Sequence, residues 1–399
     1  MDDETGTPSS LRREDMNTRE LLGRLIAFDT VSDRPNMPLI TYLRDLLMDA
    51  GADVQLIADT TGSKANLYAT IGPADRAGIA LSGHTDVVPV EGQAWTVPPF
   101  EMTERDGKLF GRGTADMKGF VAAATAAALK VARTDLQTPL HLAFSHDEEI
   151  GCIGVRSLIG MLAKAPFRPR FCIVGEPTSM QVGTGHKGKT ALRAVCTGRE
   201  AHSALAPTGV NAIHLATDLV ARLRQMQADI ADHGASDAAY DIAYTTVHAG
   251  IITGGVQVNI VPNRCVLDFE IRNLAEDDPA AMIASISEAA HAIAAQYHDV
   301  APESGIEIAT LFSYPGLETP VDAEVVSFVK SLTGGNGTIK LAYGTEGGLF
   351  HRDLGIQTVI CGPGSMAQGH KPDEFVTVEQ LERCDAMLDA LIDRLKAGV

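Results

Sequence analysis

Residues 78–88 read GIALSGHTDVV, an apolar run that ends on His84 and Asp86. A short, nearly unbroken apolar run reads as a strand buried on both faces, the kind found inside parallel sheets. Working outward, residues 117–132 are Ala-rich with helical spacing. Residues 139–145 form a second apolar strand, residues 154–163 a short helix and residues 171–174 a third strand. The order β-α-β-α-β predicts an α/β domain whose mostly parallel sheet is flanked by helices. In such sheets ligands collect at the carboxyl ends of the strands. The polar clusters fall there: His84 and Asp86, then Asp147, Glu148 and Glu149, then Glu176.

The middle of the chain changes character. Residues 190–197 read as a strand, and residues 209–231 as a long helix with Ile213, Ala216, Leu219, Val220 and Leu223 on one stripe. Residues 245–252 and 265–271 alternate as strands, residues 279–297 make a second helix, and a closing strand is expected near residues 257–260. This pattern predicts a small ferredoxin-like α+β unit with an antiparallel sheet, inserted as residues 183–304 between segments 1–182 and 305–399 of the first domain. Strands at 306–311, 339–342 and 358–361 and helices at 322–332 and 377–395 are expected to return to that first domain.

A chain of 399 residues accommodates two domains. Its 45% hydrophobic and 21% charged residues fit a soluble protein with a full core. Lys plus Arg number 33 against 51 Asp plus Glu, a formal charge of −18, which argues against nucleic acid or an anionic membrane as partner. No apolar run approaches the ~18 residues of a membrane span. Residues 1–15, MDDETGTPSSLRRED, lack the apolar core of a secretory signal and read as a loose tail. The six cysteines are scattered without a C-x-x-C pair and read as reduced core residues of a cytoplasmic protein.

His84, Asp116, Glu149, Glu176 and His370 make a mixed imidazole and carboxylate set, which suits zinc, cobalt or manganese. Five ligands exceed one tetrahedral site and point to two divalent metals bridged by a carboxylate, roughly 3.5–4 Å apart. Each residue has a plainer reading. Asp116 could cap the helix that follows it; Glu148 and Glu149 could be a solvated helix start; Glu176 could be a turn acid and His370 a loop residue. Together these plainer readings require several coincidences at one edge of one sheet.

The segments GHTDVVPV (83–90), WTVPPF (95–100), GRGTADMKG (111–119), SHDEEIGCIG (145–154), GEPTS (175–179) and GPGSMAQGHKPDEFV (362–376) occur in that order. Together they resemble the di-zinc deacetylase and carboxypeptidase family over nearly the whole chain. The resemblance implies that His84, Asp116 and Glu176 hold one metal and that Asp116, Glu149 and His370 hold the other, with Asp116 bridging. It implies two Zn2+ ions, with Co2+ as an alternative. Asp86 would orient the His84 imidazole. Glu148 would be the general base, taking a proton from the attacking water and passing it to the leaving amine. Because adjacent side chains diverge along an extended chain, the two glutamates can divide the work. Asp147 is expected to be structural, and alternation turns His146 away from the ligands.

The segment GREAHSALAPTGVNAI (198–213) carries His202, which in the family is supplied across a homodimer and stabilises the oxyanion. The resemblance makes Asn259 a substrate contact and Arg272 the partner of a substrate carboxylate. Glu346, in YGTEGG (343–348), would meet a substrate ammonium or organise the pocket. With metals on one domain and binding groups on the other, the inserted domain would be a dimerisation and lid domain that closes over substrate. One departure is Gly369, where the family has Ala before the ligand His370; it should loosen the backbone and leave the ligand. The implied reaction is hydrolysis of a small-molecule N-acyl amino acid, N2-acetyl-L-ornithine first. A sister deacylase or dipeptidase, or a non-catalytic binding protein on the same fold, stays open.

Overall fold

The computed structural model describes residues 16–132 and 134–399; the tail expected at residues 1–15 lies outside them. The described chain divides into two units, one formed within residues 16–184, 319–339 and 345–399, the other by residues 185–318 and 340–344.

The first unit opens with helices α1 (Thr18–Ile26) and α2 (Met37–Asp49). Strands β1 (Asp53–Ala58), β2 (Ala65–Ile71) and β3 (Ile79–His84) follow, then a short pair, β4 (Thr103–Arg105) and β5 (Lys108–Phe110). Helix α3 (Lys118–Val131), β6 (Leu140–Ser145), α4 (Val155–Leu162), β7 (Phe171–Pro177) and β8 (Val182–His186) complete the segment. The main sheet runs in the order β1-β2-β6-β3-β7 among these strands. β3 pairs parallel with both β6 and β7, whereas β1 and β2 are antiparallel additions at the edge. Every residue of β3 and β6 is buried, as expected for strands covered on both faces.

Helix α3 is the central packing element. All but one of its residues are buried, among them Ala122, Ala123, Ala124, Ala126, Ala127 and Ala128. Such small side chains let neighbouring elements approach closely, and an apolar surface all round belongs in a core rather than at a surface. Phe120 of this helix presses on Gly175 of β7 so closely that a Cβ there would lie 1.9 Å from Phe120 Cγ.

The second unit contains β9 (Lys189–Thr197), α5 (Ala212–His233), β10 (Thr246–Gly254), β11 (Arg264–Arg272), α6 (Pro279–Ala295) and β12 (Gly305–Tyr314). Its antiparallel sheet has the order β10-β11-β9-β12, and α5 and α6 pack on it around Leu192, Ala194, Leu219, Leu267 and Ile286. This is the ferredoxin-like order. Two expectations are corrected here. Residues 257–260 form a turn, and the closing strand is β12, which pairs with β9 from Gly305↔Thr197 to Tyr314↔Lys189. The strand expected at 306–311 therefore belongs to this sheet. An edge strand needs a neighbour for its backbone, and β9 supplies it.

The chain then continues through β13 (Leu317–Glu318), α7 (Glu324–Thr333), β14 (Thr338–Leu341), α8 (Gly347–Leu354), β15 (Gln357–Gly362), β16 (Phe375–Thr377) and α9 (Val378–Ala397). β15 pairs parallel with β7, so β6, β3, β7 and β15 form the parallel heart of the main sheet. β16 pairs with β5, which returns the segment carrying His370 to the segment that precedes Asp116.

Candidate metal centre and active site

Parallel pairing brings the ligands together. His84 ends β3 and lies in register with Ser145 at the end of β6, while Glu176 is near the end of β7. Asp116 sits just before α3. That helix starts with Met117 as its N-cap and has no side-chain cap, so Asp116 does not cap it. Its carboxylate faces two imidazoles instead. Oδ1 lies 3.1 Å from His84 Nε2, and Oδ2 lies 3.1 Å from His370 Nε2. His84 Nε2 is also 3.7 Å from Glu176 Oε1, and His370 Nε2 is 3.1 Å from Glu149 Oε2. Ligand atoms of His84, Asp116 and Glu149 lie within 4.8 Å of one another, as do those of His84, Glu148 and Glu176. Each oxygen of Asp116 thus serves a different imidazole.

The charges in this cluster are poorly balanced. Burial pushes the Glu148 carboxyl up to about 8, with Glu149 and Asp86 adding repulsion. Burial, then Asp116, pushes Glu149 up to about 7. Burial also holds Glu176 well above the carboxylate range. Burial opposes ionisation of Asp116 as well, but hydrogen bonds from His370 and His84 hold it below its ordinary value. Hydrogen bonds from Asp116 and Glu149 raise His370 to about 10. A buried set of carboxylates that burial drives towards protonation is a set short of positive charge. Divalent cations would supply that charge, and the imidazole and carboxylate donors suit them.

Asp86 is buried and holds more than one partner. The His84 Nδ1 position is 2.9 Å from the Asp86 backbone oxygen and 3.6 Å from its carboxylate. Oδ1 accepts the Glu148 N–H at 3.1 Å, and Oδ2 accepts the Glu149 N–H at 3.3 Å and the Ser32 hydroxyl at 2.7 Å. The Asp86 carboxylate therefore holds the backbone of both glutamates, while the Asp86 backbone oxygen is the hydrogen-bond partner of the His84 ring. The glutamates do not diverge along an extended strand. β6 stops at Ser145, and Asp147 takes a φ of 56°, which turns the chain. Asp147 pairs with Lys64 Nζ at 2.5 Å, and its other oxygen is 3.1 Å from His146 Nδ1. The Cys152 thiol donates to Glu148 Oε1 at 3.2 Å.

Glu346 is buried at the start of α8. Its two oxygens accept from Ser82 Oγ and from Ser145 Oγ, beneath the ends of β3 and β6. Glu346 is thereby tied to both β3 and β6. Gly369 is buried, and a Cβ there would meet Met366 Sδ at 2.5 Å. His370 itself carries the left-handed φ, 62°.

His202, Asn259 and Arg272 lie in the second unit. His202 caps a short 3-10 turn, with Nδ1 accepting the Ala204 N–H at 3.1 Å. That bond assigns the neutral tautomer with the proton on Nε2, leaving an exposed N–H donor. Residue 202 bridges to Ile260, and the Asn259 carbonyl accepts the Ser203 N–H at 3.0 Å, so the two candidate residues share one local structure. Arg272 ends β11, and its Nε donates to Glu270 Oε1 at 2.8 Å.

Sequence reasoning missed Gln93, Arg112 and Glu374. Glu374 is 1% exposed and accepts three backbone N–H groups of the segment that carries Asp116. The run HKPDEF reads as a polar surface loop, and no periodicity separates the buried Glu374 from its half-buried neighbour Asp373.

Fold and site together define a metal-dependent hydrolase. Residues 80–394 match the Peptidase family M20/M25/M40, and the chain belongs to that family. It is 35% identical over 385 residues to an acetylornithine deacetylase of Myxococcus xanthus, covering 95% of this chain and 98% of that one. It is 34% identical over 387 residues to an acetylornithine deacetylase of Pasteurella multocida, again covering 95% and 98%. Among solved structures, an M20 family metallo-carboxypeptidase from Sulfolobus solfataricus has the same fold, with a TM-score of 0.77 at 18% identity over 96% of this chain and 100% of that one. Among the described residues, no helix is long and apolar enough to cross a membrane.

Proposed function

We propose that this enzyme hydrolyses N2-acetyl-L-ornithine to L-ornithine and acetate, a step of arginine biosynthesis. The observation that carries the chemistry is Asp116, whose two oxygens each lie 3.1 Å from a different imidazole. The substrate follows from the full-length likeness to acetylornithine deacetylases. His84, Asp116 and Glu176 would hold one cation, and Asp116, Glu149 and His370 the other, with Zn2+ the first choice and Co2+ a substitute. When bound, the cations supply Lewis acidity, polarising the amide carbonyl and easing deprotonation of water.

The remaining steps belong to side chains of this chain. Burial raises the proton affinity of the Glu148 carboxyl above that of an ordinary glutamate, which suits a group that takes up a proton and hands it on. It takes the proton of the attacking water and returns it to the leaving α-nitrogen of ornithine. Asp86 keeps Glu148 in place through the backbone N–H. His202, with its proton on Nε2, is assigned to the developing oxyanion. Arg272 is assigned to the substrate carboxylate and Asn259 to the substrate. Glu346, with both oxygens engaged by serines, is assigned to the floor of the site. A cytoplasmic homodimer is part of the same reading; the free, buried cysteines fit a reducing compartment.

Assays of N-acetyl, N-succinyl and N-formyl amino acids with zinc or cobalt test this directly. Ornithine release from the acetyl substrate is expected. Cleavage of another acyl amino acid alone would overturn the substrate and keep the class. Binding without turnover of any would overturn both.

A further inference from the structure

The segments that carry Asp116 and His370 are laced together by side chains that touch neither ligand's metal-facing atoms. Glu374 Oε1 accepts the N–H groups of Gly113 at 3.0 Å, Ala115 at 3.0 Å and Asp116 at 3.1 Å. Glu374 Oε2 takes Arg112 Nη1 at 2.5 Å, and both partners are 1% exposed. Arg112 also sends Nη2 to Gln93 Oε1 at 2.6 Å, and its guanidinium lies 5.1 Å from the centre of the Trp95 ring. Trp95 Nε1 donates to the same Gln93 oxygen at 3.1 Å. Two donors on that oxygen settle the amide's orientation and turn Nε2 the other way. There it donates to the His370 backbone oxygen at 2.9 Å.

His370 needs such an anchor. Its φ of 62° is one that a residue with a Cβ adopts only when its surroundings hold it there. Asp116 is held from behind by Glu374 while its Oδ2 meets His370 Nε2 at 3.1 Å. A buried ion pair is weak evidence for stability, because desolvation offsets its attraction, but it fixes geometry well. Glu374 ends on the backbone of the Asp116 segment and Gln93 on the His370 carbonyl, and Arg112 joins the two while its Nη1 reaches the Lys371 carbonyl at 3.4 Å.

We infer that Gln93, Arg112 and Glu374 are positioning residues that set the distance between Asp116 and His370, and with it the cation position made by Asp116, Glu149 and His370. The inference rests on the two-cation reading above. Gln93 is the residue to change, because it is half-buried and its loss spares the core; truncating Glu374 would strand a buried guanidinium and unfold the segment.

Two measurements on Gln93→Leu and Gln93→Glu decide it. In metal-free protein, hydrogen exchange followed by mass spectrometry should quicken at least ~10-fold in residues 370–374 and in 111–116 for Gln93→Leu, with α3 unchanged. Gln93→Glu keeps an acceptor for Arg112 and loses the donor to His370, so 370–374 should loosen while 111–116 stays protected. Equilibrium dialysis with cobalt(II) should show one of two bound ions losing roughly 10–100-fold in affinity in Gln93→Glu with the other unaffected, and both ions weakened in Gln93→Leu, where the segment carrying the shared Asp116 also loosens. Unchanged exchange at 370–374, or both ions bound as in the wild type, would overturn the inference. If the wild type binds fewer than two ions, the two-cation reading fails, and the metal-free exchange result still decides whether these residues position the segments.

Discussion

Replacing Asp86 tests how the site is held. Its carboxylate splits between consecutive amides, Oδ1 on Glu148 N–H at 3.1 Å and Oδ2 on Glu149 N–H at 3.3 Å, and Oδ2 also takes Ser32 Oγ at 2.7 Å. Asp86→Ala leaves these three donors without their acceptor. An unsatisfied buried donor costs about 1–3 kcal/mol, although the cavity left by alanine can admit a water that recovers part of it. Removing a carboxylate from a cluster short of positive charge also gives some stability back. The net expectation is a loss of about 2–4 kcal/mol in urea unfolding of the metal-free protein. Asp86→Asn keeps one acceptor and turns an NH2 towards the other amide, so it should fall between alanine and wild type. Because the same carboxylate fixes the backbone of both glutamates, cation affinity should drop about 10–100-fold in the alanine variant, although the Asp86 backbone oxygen that meets the His84 ring remains. Stability is read by urea titration and affinity by dialysis. An alanine variant as stable as wild type with unchanged affinity would show that Asp86 does not hold the site, as would asparagine falling below alanine.

Other outcomes follow from the same geometry. Burial holds His141 and His186 down, each to about 4 from an ordinary 6.5. As pH falls below 6.5, the unfolded chain takes up these protons while the native protein resists until about 4. Stability should therefore be full above pH 6.5 and drop between 6.5 and 4, by up to about 3 kcal/mol per imidazole. His141→Gln should flatten that slope in urea titrations at stepped pH, and an unchanged slope would count against it. Gly175→Ala drives a methyl to 1.9 Å from Phe120 Cγ. It should cost at least about 1–3 kcal/mol through overpacking, visible as a lower Tm, and should impair activity because Glu176 is the next residue. His202→Ala should lower kcat about 100–1,000-fold with little change in KM if its Nε2–H meets only the oxyanion; a KM effect alone would remove that role.

The heart of the first unit was legible because β3, β6 and β7 are written as unbroken apolar runs that end on polar residues. The strand Gly305–Tyr314 was not assigned correctly because alternation tells which face a strand buries, not which sheet it joins. Its half-exposed pattern belongs with the second unit's sheet. That His84, Asp116, Glu149, Glu176 and His370 come together was readable from their motifs. The means of holding them were not: Asp147 turns the chain through a left-handed φ, and Asp86 reaches two backbone amides. Glu374 and Arg112 are buried charges whose satisfaction depends on partners far apart in sequence, which composition and spacing do not encode.

Glu148 is the proposed proton carrier of a metal-dependent deacylation of N2-acetyl-L-ornithine. The direct measurement is ornithine release by wild type and Glu148→Ala, each loaded with zinc and assayed for bound metal. The predicted result is zinc-dependent release by the wild type and a loss of roughly 100–10,000-fold in the variant with its metal retained. Equal turnover by the metal-loaded variant, or no ornithine from the fully loaded wild type, would contradict it.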